Sequence, residues 1–342
     1  MKPIKRFLYL MYYFKKINWS VYHQFLKHAA QLTKLTKFQL AFDSLICVFL
    51  YNISLLEYFQ FRFFELNAKE RENWAGTGFM YEYQLYMNPI SERIVLDNKT
   101  LFYQKYQHFF IHQVLNLNEL KNDETIWLKL KNNGSSKIVL KTKDGKCGNG
   151  VLIKLFSEFN NQNELIEFME SNNFDLLEEY IVQHHLLNEL SPSAVNTVRI
   201  FTQLDKNNQI SILGCRLRIS VNSMVDNMAA GNMAASIDEN TGIINGNGVY
   251  SDITKNDEEF HPITKIKIKG FQIPFWPEIL QMVKEAATLN PQNKSIGWDI
   301  VITENGPGIL EGNHDWCKLV WQLPVKTGMK SVLLNHLNNS NA

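Results

Sequence analysis

The chain has 342 residues, of which 45% are hydrophobic and 20% charged, so it can form packed cores and is not globally disordered. Its formal net charge of +1 lacks the basic surplus of a protein that binds nucleic acid over its whole surface. Its four cysteines form no CxxC pair, which excludes a disulfide framework and predicts a reducing, cytoplasmic location.

The first predicted element is a short helix near the N-terminus. Its apolar run, residues 7–14, is closed by two lysines and precedes no small-residue cleavage site, so a secretory signal is not predicted. Basic residues flank aromatic and aliphatic ones here, a pattern that suits a helix lying on an anionic membrane. The alternative is a helix that packs on the rest of the protein. Peripheral membrane contact therefore stays open beside the cytoplasmic location.

The whole of residues 1–92 is predicted to form a helical N-terminal region. Apolar residues recur at helical spacing through 21–35 and 40–64, and glycine and proline are scarce. The second of these stretches is interrupted by charged residues and is too polar to span a bilayer. Residues 73–88 break the pattern and are predicted to be a connector.

From residue 93 onward the pattern alternates between helices and strands. The predicted helices are 101–115, 165–169 and 275–289, and the predicted strands are 137–141, 180–183, 197–203, 210–219, 298–303 and 309–311. This alternation predicts an α+β or α/β catalytic region, 93–342, behind the helical region. Its two parts would be a subdomain with a glycine-rich loop, about 93–182, and a metal-binding subdomain, about 183–342.

The most informative stretch is the hairpin predicted within residues 297–316, GWDIVITENGPGILEGNHDW. Asp299 lies on its first strand, and Glu311 lies 12 residues later on the second. A hairpin brings such positions side by side, and Asn313, two residues further on, returns to the same face. Two carboxylates and an amide oxygen suit Mg²⁺ that is held partly by substrate phosphates. The alternative is a hairpin with ordinary solvated acids.

A second stretch, KIVLKTKDGKCGNGVL at 137–152, joins a β run to a glycine-rich turn. Lys141 ends the run, and Gly145, Gly148 and Gly150 follow it. Glycines let backbone amides approach phosphate oxygens closely, and a lysine adds positive charge beside the same phosphates. The spacing fits neither a Walker A loop nor the GxGxxG dinucleotide motif. A plain hairpin loop is the alternative.

Arginines on the predicted strands suggest a local anion site within a neutral protein. Arg199 follows Asn-Thr-Val on one strand, and Arg216 and Arg218, two residues apart, share one face of the next. Arginines that face a cleft from adjacent strands can neutralise developing phosphate charge. The alternative is a set of surface-exposed strand arginines.

In this order, the three stretches resemble the ATP-grasp superfamily, and most closely its branch associated with sugar transfer and polysaccharide biosynthesis. The resemblance covers about residues 97–321 and is most specific in the Asp, Glu and Asn of the hairpin together with the NTVR strand. It implies an α+β ATP-grasp fold, in which two α/β subdomains clasp ATP, behind the helical N-terminal region. It also implies that ATP and Mg²⁺ are used.

The resemblance further implies roles for single residues. The nucleotide-binding positions would be Lys99 and Lys141 at the phosphates, Gly145, Gly148 and Gly150 in the closing loop, Gln183 and His185 beside the adenine, and Glu189 at the ribose. The magnesium ligands would be Asp299, Glu311 and Asn313. Arg199 matches the strand arginine near the reacting phosphate. Because Gly297 stands where many ATP-grasp ligases have an arginine, Arg199 or Arg216 would have to neutralise the transferring phosphate.

The implied activity is ligation of a small-molecule carboxylate to an amine through an acyl phosphate, with sugar-linked or amino-acid substrates in surface-glycan assembly. Asn227 and Asn232 would face the acceptor. One alternative is a kinase on the same fold, with Asp226, Asp238 or His314 as general base. Another is a non-catalytic module of a glycan-assembly complex. No nucleic-acid partner is predicted, and the sequence does not specify the oligomeric state.

Overall fold

The structure is a computed structural model that describes residues 3–132, 136–145 and 150–341. The helices are α1 (Pro3–Lys16), α2 (Trp19–Leu32), α3 (Lys37–Tyr51), α4 (Leu55–Gln60), α5 (Ala68–Glu72), α6 (Thr77–Met87), α7 (Ile94–Asp97), α8 (Lys99–Tyr106), α9 (Leu117–Asn122), α10 (Thr125–Asn132), α11 (Gln162–Ser171), α12 (His185–Leu190), α13 (Trp276–Thr288), α14 (Lys318–Gln322) and α15 (Lys330–Asn341). The strands are β1 (Val114–Asn116), β2 (Lys137–Lys141), β3 (Val151–Leu155), β4 (Leu176–Glu179), β5 (Val198–Leu204), β6 (Ile210–Ile219), β7 (Met233–Ile237), β8 (Val249–Tyr250), β9 (Ser295–Thr303) and β10 (Gly306–Asn313).

The N-terminal region is helical, as its apolar periodicity predicts. Side-chain caps set where its helices begin: Thr36 with Gln39, and Ser54 with Glu57, form capping boxes at the starts of α3 and α4. The predicted connector at 73–88 is wrong, because α6 occupies most of it. The exposed side of α6 carries tyrosines, which are similar in hydrophobicity to the residues on its buried side. The sequence therefore shows no amphipathic face.

Two antiparallel sheets make up the rest of the fold. The smaller sheet has the strand order β1-β4-β2-β3 and packs on α9, α10 and α11. The larger has the order β10-β9-β5-β6-β7-β8. Its central strand β5 is buried along its whole length, because side chains from α13 cover one face and the N-terminal helices cover the other.

Alternation along β5 divides its side chains between these two faces. Val198 and Ile200 pack in the cluster that contains α13, whereas Phe201 packs with the N-terminal helices and α14. Arg199 therefore points to the same side as Phe201. The N-terminal helices thus share a core with the large sheet, and the boundary near residue 92 stays a prediction.

Two element predictions require correction in the smaller sheet. The strand predicted at 180–183 lies earlier, at β4, where Leu176 to Glu179 pairs with both β1 and β2. The helix predicted at 101–115 ends at Tyr106, and the chain then enters β1. Short apolar runs fit either element, and the pairing partners that decide between them lie far along the chain.

Two observations bear on the predicted membrane contact of the N-terminal region. Within the described ranges, no helix is both long enough and apolar enough to cross a bilayer. Helix α1 packs on the protein through Tyr13, which is buried, while most of its other side chains are at least partly exposed.

Candidate active site

The β9–β10 hairpin brings the three predicted metal ligands together through an irregularity in its pairing. Asp299 pairs directly with Glu311, and Asn313 pairs with Gly297. A β-bulge between Ile309 and Glu311 shifts the register by one residue. Without that extra residue Glu311 would lie opposite Trp298 and would point to the other face of the sheet. The bulge therefore aligns the two carboxylates.

Two arginines from neighbouring strands hold Asp299. Arg199, on β5, donates from Nε to Oδ1 and from Nη2 to Oδ2, the latter at 2.6 Å. Arg218, on β6, donates to Oδ2 at 2.8 Å and also pairs with Asp226 at 2.6 Å. Burial alone would raise the pKa of Asp299, but the two guanidinium groups outweigh it and hold the pKa well below its usual range. Asp299 is thus a fixed carboxylate.

Glu311 has the opposite electrostatic environment. Burial raises its pKa, and the neighbouring charge of Asp299 raises it further. Asn313 donates its amide nitrogen to Glu311 Oε1 at 3.1 Å. A proton or a cation between two neighbouring carboxylates relieves their repulsion. This donor set of hard oxygens fits a divalent cation such as Mg²⁺.

Lysines from the smaller sheet and from α8 face this hairpin across a cleft. Lys99 and Lys141 line the cleft together with Arg199, Arg218 and Glu311. Burial, reinforced by the charge of Lys141, lowers the pKa of Lys99. Four cationic side chains from four elements thus lie around the carboxylate pair, and three of them, Lys141, Arg199 and Arg218, are themselves paired with acids.

Lys141 is held by an acid that the sequence reading overlooked. Its Nζ lies 2.5 Å from Oε2 of Glu178 on β4, and His112 Nε2 lies 3.4 Å from the same oxygen. Burial would raise the pKa of Glu178, but Lys141 and His112 outweigh it and lower the pKa to about 2. The sequence did contain a signal for this partner, because Glu178 is a charged residue inside the largely apolar run LLEEYIV.

The glycine-rich turn borders the same cleft. Lys99 Nζ donates to the carbonyl oxygens of Thr142, at 3.1 Å, and of Gly145, which lines the cleft. Gly150 has φ +72°, and a Cβ there would lie 2.2 Å from Thr142 Oγ1, so the turn requires glycine at this position. Gly148 lies outside the described residues.

The residues predicted to contact the adenine and the ribose do not line the cleft, and neither does Arg216. Gln183 is buried, and its amide is bonded to Ser191, Ala194 and Asn196, which ties down a loop. Arg216 donates to the carbonyl oxygens of Trp321 and Cys215. Hydrogen bonds inside the protein occupy both side chains here, and the adenine role of Gln183 and the phosphate role of Arg216 stay predictions.

His185 and Glu189 are both exposed and lie outside the cleft lining. His185 Nδ1 lies 2.9 Å from Glu304 Oε1 at the turn of the hairpin, and His184 is stacked on His185. These three side chains lie close enough to share a metal ion. However, Nδ1 of His184 accepts from the amide of Leu186, which leaves its proton on Nε2, facing Glu304. The group is therefore better described as a hydrogen-bonded cluster.

The packing around Gly297 explains why no arginine stands two residues before Asp299. A Cβ at this position would lie 2.6 Å from Trp316 Cβ and 3.4 Å from Arg199 Cδ. The space that a side chain would need is filled by Trp316 and by the stem of Arg199. Arg199 and Arg218 instead place positive charge beside Asp299 from the two neighbouring strands.

The far wall of the cleft contains a histidine–aspartate pair. His314 Nε2 lies 3.1 Å from Asp97 Oδ1, and both residues line the cleft. Asn227 also lines it, whereas Asn232 is buried and its side chain is bonded to backbone groups of residues 221, 225 and 227. Of the two predicted acceptor-facing asparagines, only Asn227 is placed at the cleft.

Comparison with known proteins identifies the fold. The sequence profile of the sugar-transfer associated ATP-grasp family matches residues 79–339. No curated protein sequence matches the chain.

Similar solved structures include three ATP-grasp enzymes. The ligase PsnB complexed with a minimal precursor has 11% identity, a TM-score of 0.45, and coverage of 75% of this chain and 63% of its own. The N5-carboxyaminoimidazole synthetase from Staphylococcus aureus, complexed with ADP, has 12% identity, a TM-score of 0.39, and coverage of 69% and 52%. The D-alanine–D-alanine ligase from Bacillus anthracis has 14% identity, a TM-score of 0.39, and coverage of 72% and 67%. The chain spans less than two thirds of the first two.

The family match confirms the expected α+β ATP-grasp fold, with helices at the N-terminus followed by two antiparallel sheets. The match covers well over half of the sequence and includes the hairpin with Asp299 and Glu311 and the strand with Arg199. The chain therefore belongs to the sugar-transfer associated ATP-grasp family.

Proposed function

We propose that the protein is an ATP- and Mg²⁺-dependent ligase that joins a carboxylate to an amine, on substrates linked to sugars or glycan assembly. The observation that carries the proposal is the cleft lined by Lys99, Lys141, Arg199, Arg218 and Glu311, with the buried carboxylate of Asp299 paired to Glu311 across the hairpin. The glycan association rests on the description of the family.

In this proposal Asp299, Glu311 and Asn313 hold Mg²⁺. When bound, the ion neutralises charge on the terminal phosphates of ATP. Arg199 and Arg218 keep Asp299 ionised and oriented. They also supply positive charge close to the transferring phosphoryl group.

The lysines act from the opposite side of the cleft. Lys141 exchanges Glu178 for phosphate oxygens as ATP enters, and Lys99 remains bonded to the glycine-rich turn that covers them. Closing this turn over the site excludes water from the reactive intermediate.

The reaction consists of two displacements at the substrate. A carboxylate oxygen attacks the γ-phosphorus, the bond to the bridging oxygen breaks, and ADP leaves, which gives an acyl phosphate. The amine then attacks the acyl carbon, phosphate leaves, and the nitrogen loses a proton, which gives the amide. No side-chain nucleophile is needed.

The test is ADP release from ATP and Mg²⁺ with pooled amino acids and uronic acids, with hydroxylamine as a trap for an acyl phosphate. We expect ADP to form with a particular carboxylate and a hydroxamate to accumulate. Glu311→Gln should remove both signals, whereas Glu304→Gln, an exposed acid on the same hairpin, should retain them. ADP release without a hydroxamate or an amide would refute the ligase.

A kinase is the second candidate, and the pairing of His314 with Asp97 in the cleft wall favours it. A histidine oriented by a carboxylate can remove a proton from a hydroxyl as it attacks the γ-phosphorus. In that case the product would be a stable phosphate ester, and turnover would fall in His314→Gln with little change in ATP binding. Mass analysis of the product separates the two activities.

A further inference from the structure

Charge is distributed very unevenly along this nearly neutral chain. Residues 1–42 contain eight lysines and arginines and no acidic residue, although the whole chain has 35 basic and 34 acidic residues. The remaining 300 residues therefore have 27 basic and 34 acidic residues. Six of these eight basic residues lie on α1, α2 and the first turn of α3.

The outward face of α1 is apolar, which is unusual for a surface helix. Phe7, Met11 and Phe14 follow at helical spacing and are exposed, and Leu8 and Tyr12 lie beside them. The inward face is also apolar, with Tyr13 in the core. Packing inside the protein therefore does not account for the apolar residues on the outward face.

Helix α3 has a second exposed stripe. Phe38, Phe42, Ile46 and Phe49 recur at helical spacing, and Phe38 is 79% exposed. The rings of Phe38 and Phe42 are stacked at 6.3 Å, so they form one continuous apolar surface. The opposite side of α3 packs Leu40, Cys47 and Val48 into the core, so the exposed stripe is a separate face of the same helix.

The two stripes are neighbours. The start of α1 meets the end of α3, where Arg6 donates to the carbonyl oxygens of Phe49 and Leu50. The end of α1 is joined to α2 through the ring contact of Phe14 with Trp19 at 5.5 Å. Both helices pack on the same core, so their outward faces form one surface, here called the α1–α3 face.

Exposed lysines flank the α1–α3 face, and two acids close to it, Asp43 and Glu82, are already paired. Lys15 and Lys16 end α1, and Lys37 begins α3. Asp43 is bonded to Arg71 and Tyr58, and Glu82 accepts from Tyr9. The face therefore presents aromatic and aliphatic side chains bordered by positive charge.

We propose that the α1–α3 face docks on the surface of an anionic lipid bilayer. Aromatic and aliphatic side chains would enter the headgroup boundary, and the flanking lysines would contact lipid phosphates. Charge separates this partner from a second copy of the chain, because two such faces would bring their positive residues together. The proposal is independent of the reaction catalysed.

The test is cosedimentation of the full chain with phosphatidylcholine vesicles that contain or lack phosphatidylglycerol. We expect binding to the anionic vesicles only, with loss at high salt. Phe38→Ser with Phe42→Ser, and separately Lys15→Gln with Lys16→Gln, should each weaken binding on the order of tenfold. Phe260→Ser with Ile263→Ser, at exposed apolar positions elsewhere, should bind like the parent.

Thermal unfolding of each variant checks that it is folded. We expect every variant to fold, because all the altered side chains are exposed. Equal binding to both kinds of vesicle, or binding to neither, would overturn the proposal. So would a concentration-dependent dimer that Phe38→Ser with Phe42→Ser dissociates, because the face would then be a contact between two copies. Capture of an acidic polypeptide without vesicle binding would likewise overturn it, in favour of a protein partner.

Discussion

At the scale of single residues, Glu311 combines a raised pKa with the proposed role of metal ligand. Metal binding requires its ionised form, so Mg²⁺ must displace a proton whenever the pH is near or below the raised pKa. We expect Mg²⁺ affinity to fall as the pH is lowered through that range. Titration calorimetry in buffers of different ionisation enthalpy would measure proton release, which should vanish in Glu311→Gln. Affinity independent of pH in the parent protein would contradict this role.

Arg218 and Arg216 differ in what their side chains contact, although they share a strand face. Arg218→Met should lower turnover on the order of a hundredfold or more, because a charge beside Asp299 is lost. Arg216→Met should instead lower stability by about 1–3 kcal/mol, because buried carbonyl oxygens of Trp321 and Cys215 lose their donor. Steady-state kinetics and denaturant unfolding of both variants separate the two effects. Equal effects on turnover would contradict the assignment.

Residue type was enough to suggest that Asp299, Glu311 and Arg199 belong to one site, because hard-oxygen donors and arginines on neighbouring strands are visible in the sequence. The partner of Lys141 was not visible. Glu178 is 66 residues from His112 in the chain, and the two meet Lys141 only when β4 pairs with β2. The hydrogen bonds of Gln183 were not visible either, since the loop that satisfies its amide cannot be read from composition.

At the scale of elements, the hairpin depends on a residue without a side chain. Gly297→Ala places a Cβ 2.6 Å from that of Trp316, so the strand or the indole must shift. We expect a loss of about 1–3 kcal/mol in the free energy of unfolding. Turnover should also fall, because Asp299 lies two residues along the same strand. Denaturant unfolding with a midpoint equal to that of the parent would contradict the crowding.

The prediction of the hairpin from its turn was right, but the pairing of its acids was not deducible. The turn residues fix a register that holds as far as Ile309, and a bulge then changes it. Bulges leave little trace in a single sequence. The same limit applies to α6, whose exposed tyrosines hide its amphipathic face.

At the scale of the whole molecule, a largely buried ion pair joins the N-terminal helical region to α14, which follows the β9–β10 hairpin. Glu57 Oε1 lies 2.8 Å from Lys318 Nζ, and Glu57 also accepts from Ser54 and Thr77. Glu57→Ala should cost about 3–5 kcal/mol, because the partly buried amide groups of Ser54 and Thr77 and the mostly buried ammonium of Lys318 lose their common partner. Glu170→Ala, which breaks the exposed pair with Lys121, should cost no more than about 1 kcal/mol. Chemical denaturation measures both.

The pH dependence of this pair has a definite sign. Burial would raise the pKa of Glu57, but Lys318 outweighs it and lowers the pKa below its usual value. Its contribution to stability is therefore complete above the pKa of the unfolded chain and is lost as the pH falls through the lower pKa of the folded protein. The parent should lose more stability in acid than the double variant Glu57→Gln with Lys318→Met. Parallel acid-unfolding curves would contradict this linkage.

The position of Lys318 has a practical consequence for anyone who wishes to isolate the nucleotide-binding half. The family match begins at residue 79, which suggests that the earlier helices are an appendage. Yet a chain cut there would lose Glu57. The ammonium group of Lys318, five residues from Asn313, would then lack its carboxylate partner, and the indole of Trp321 would be exposed to water. Trimming at residue 79 would thus disturb α14 and its neighbour Cys317, next to the cleft wall, so the first 78 residues help to hold the proposed site in place.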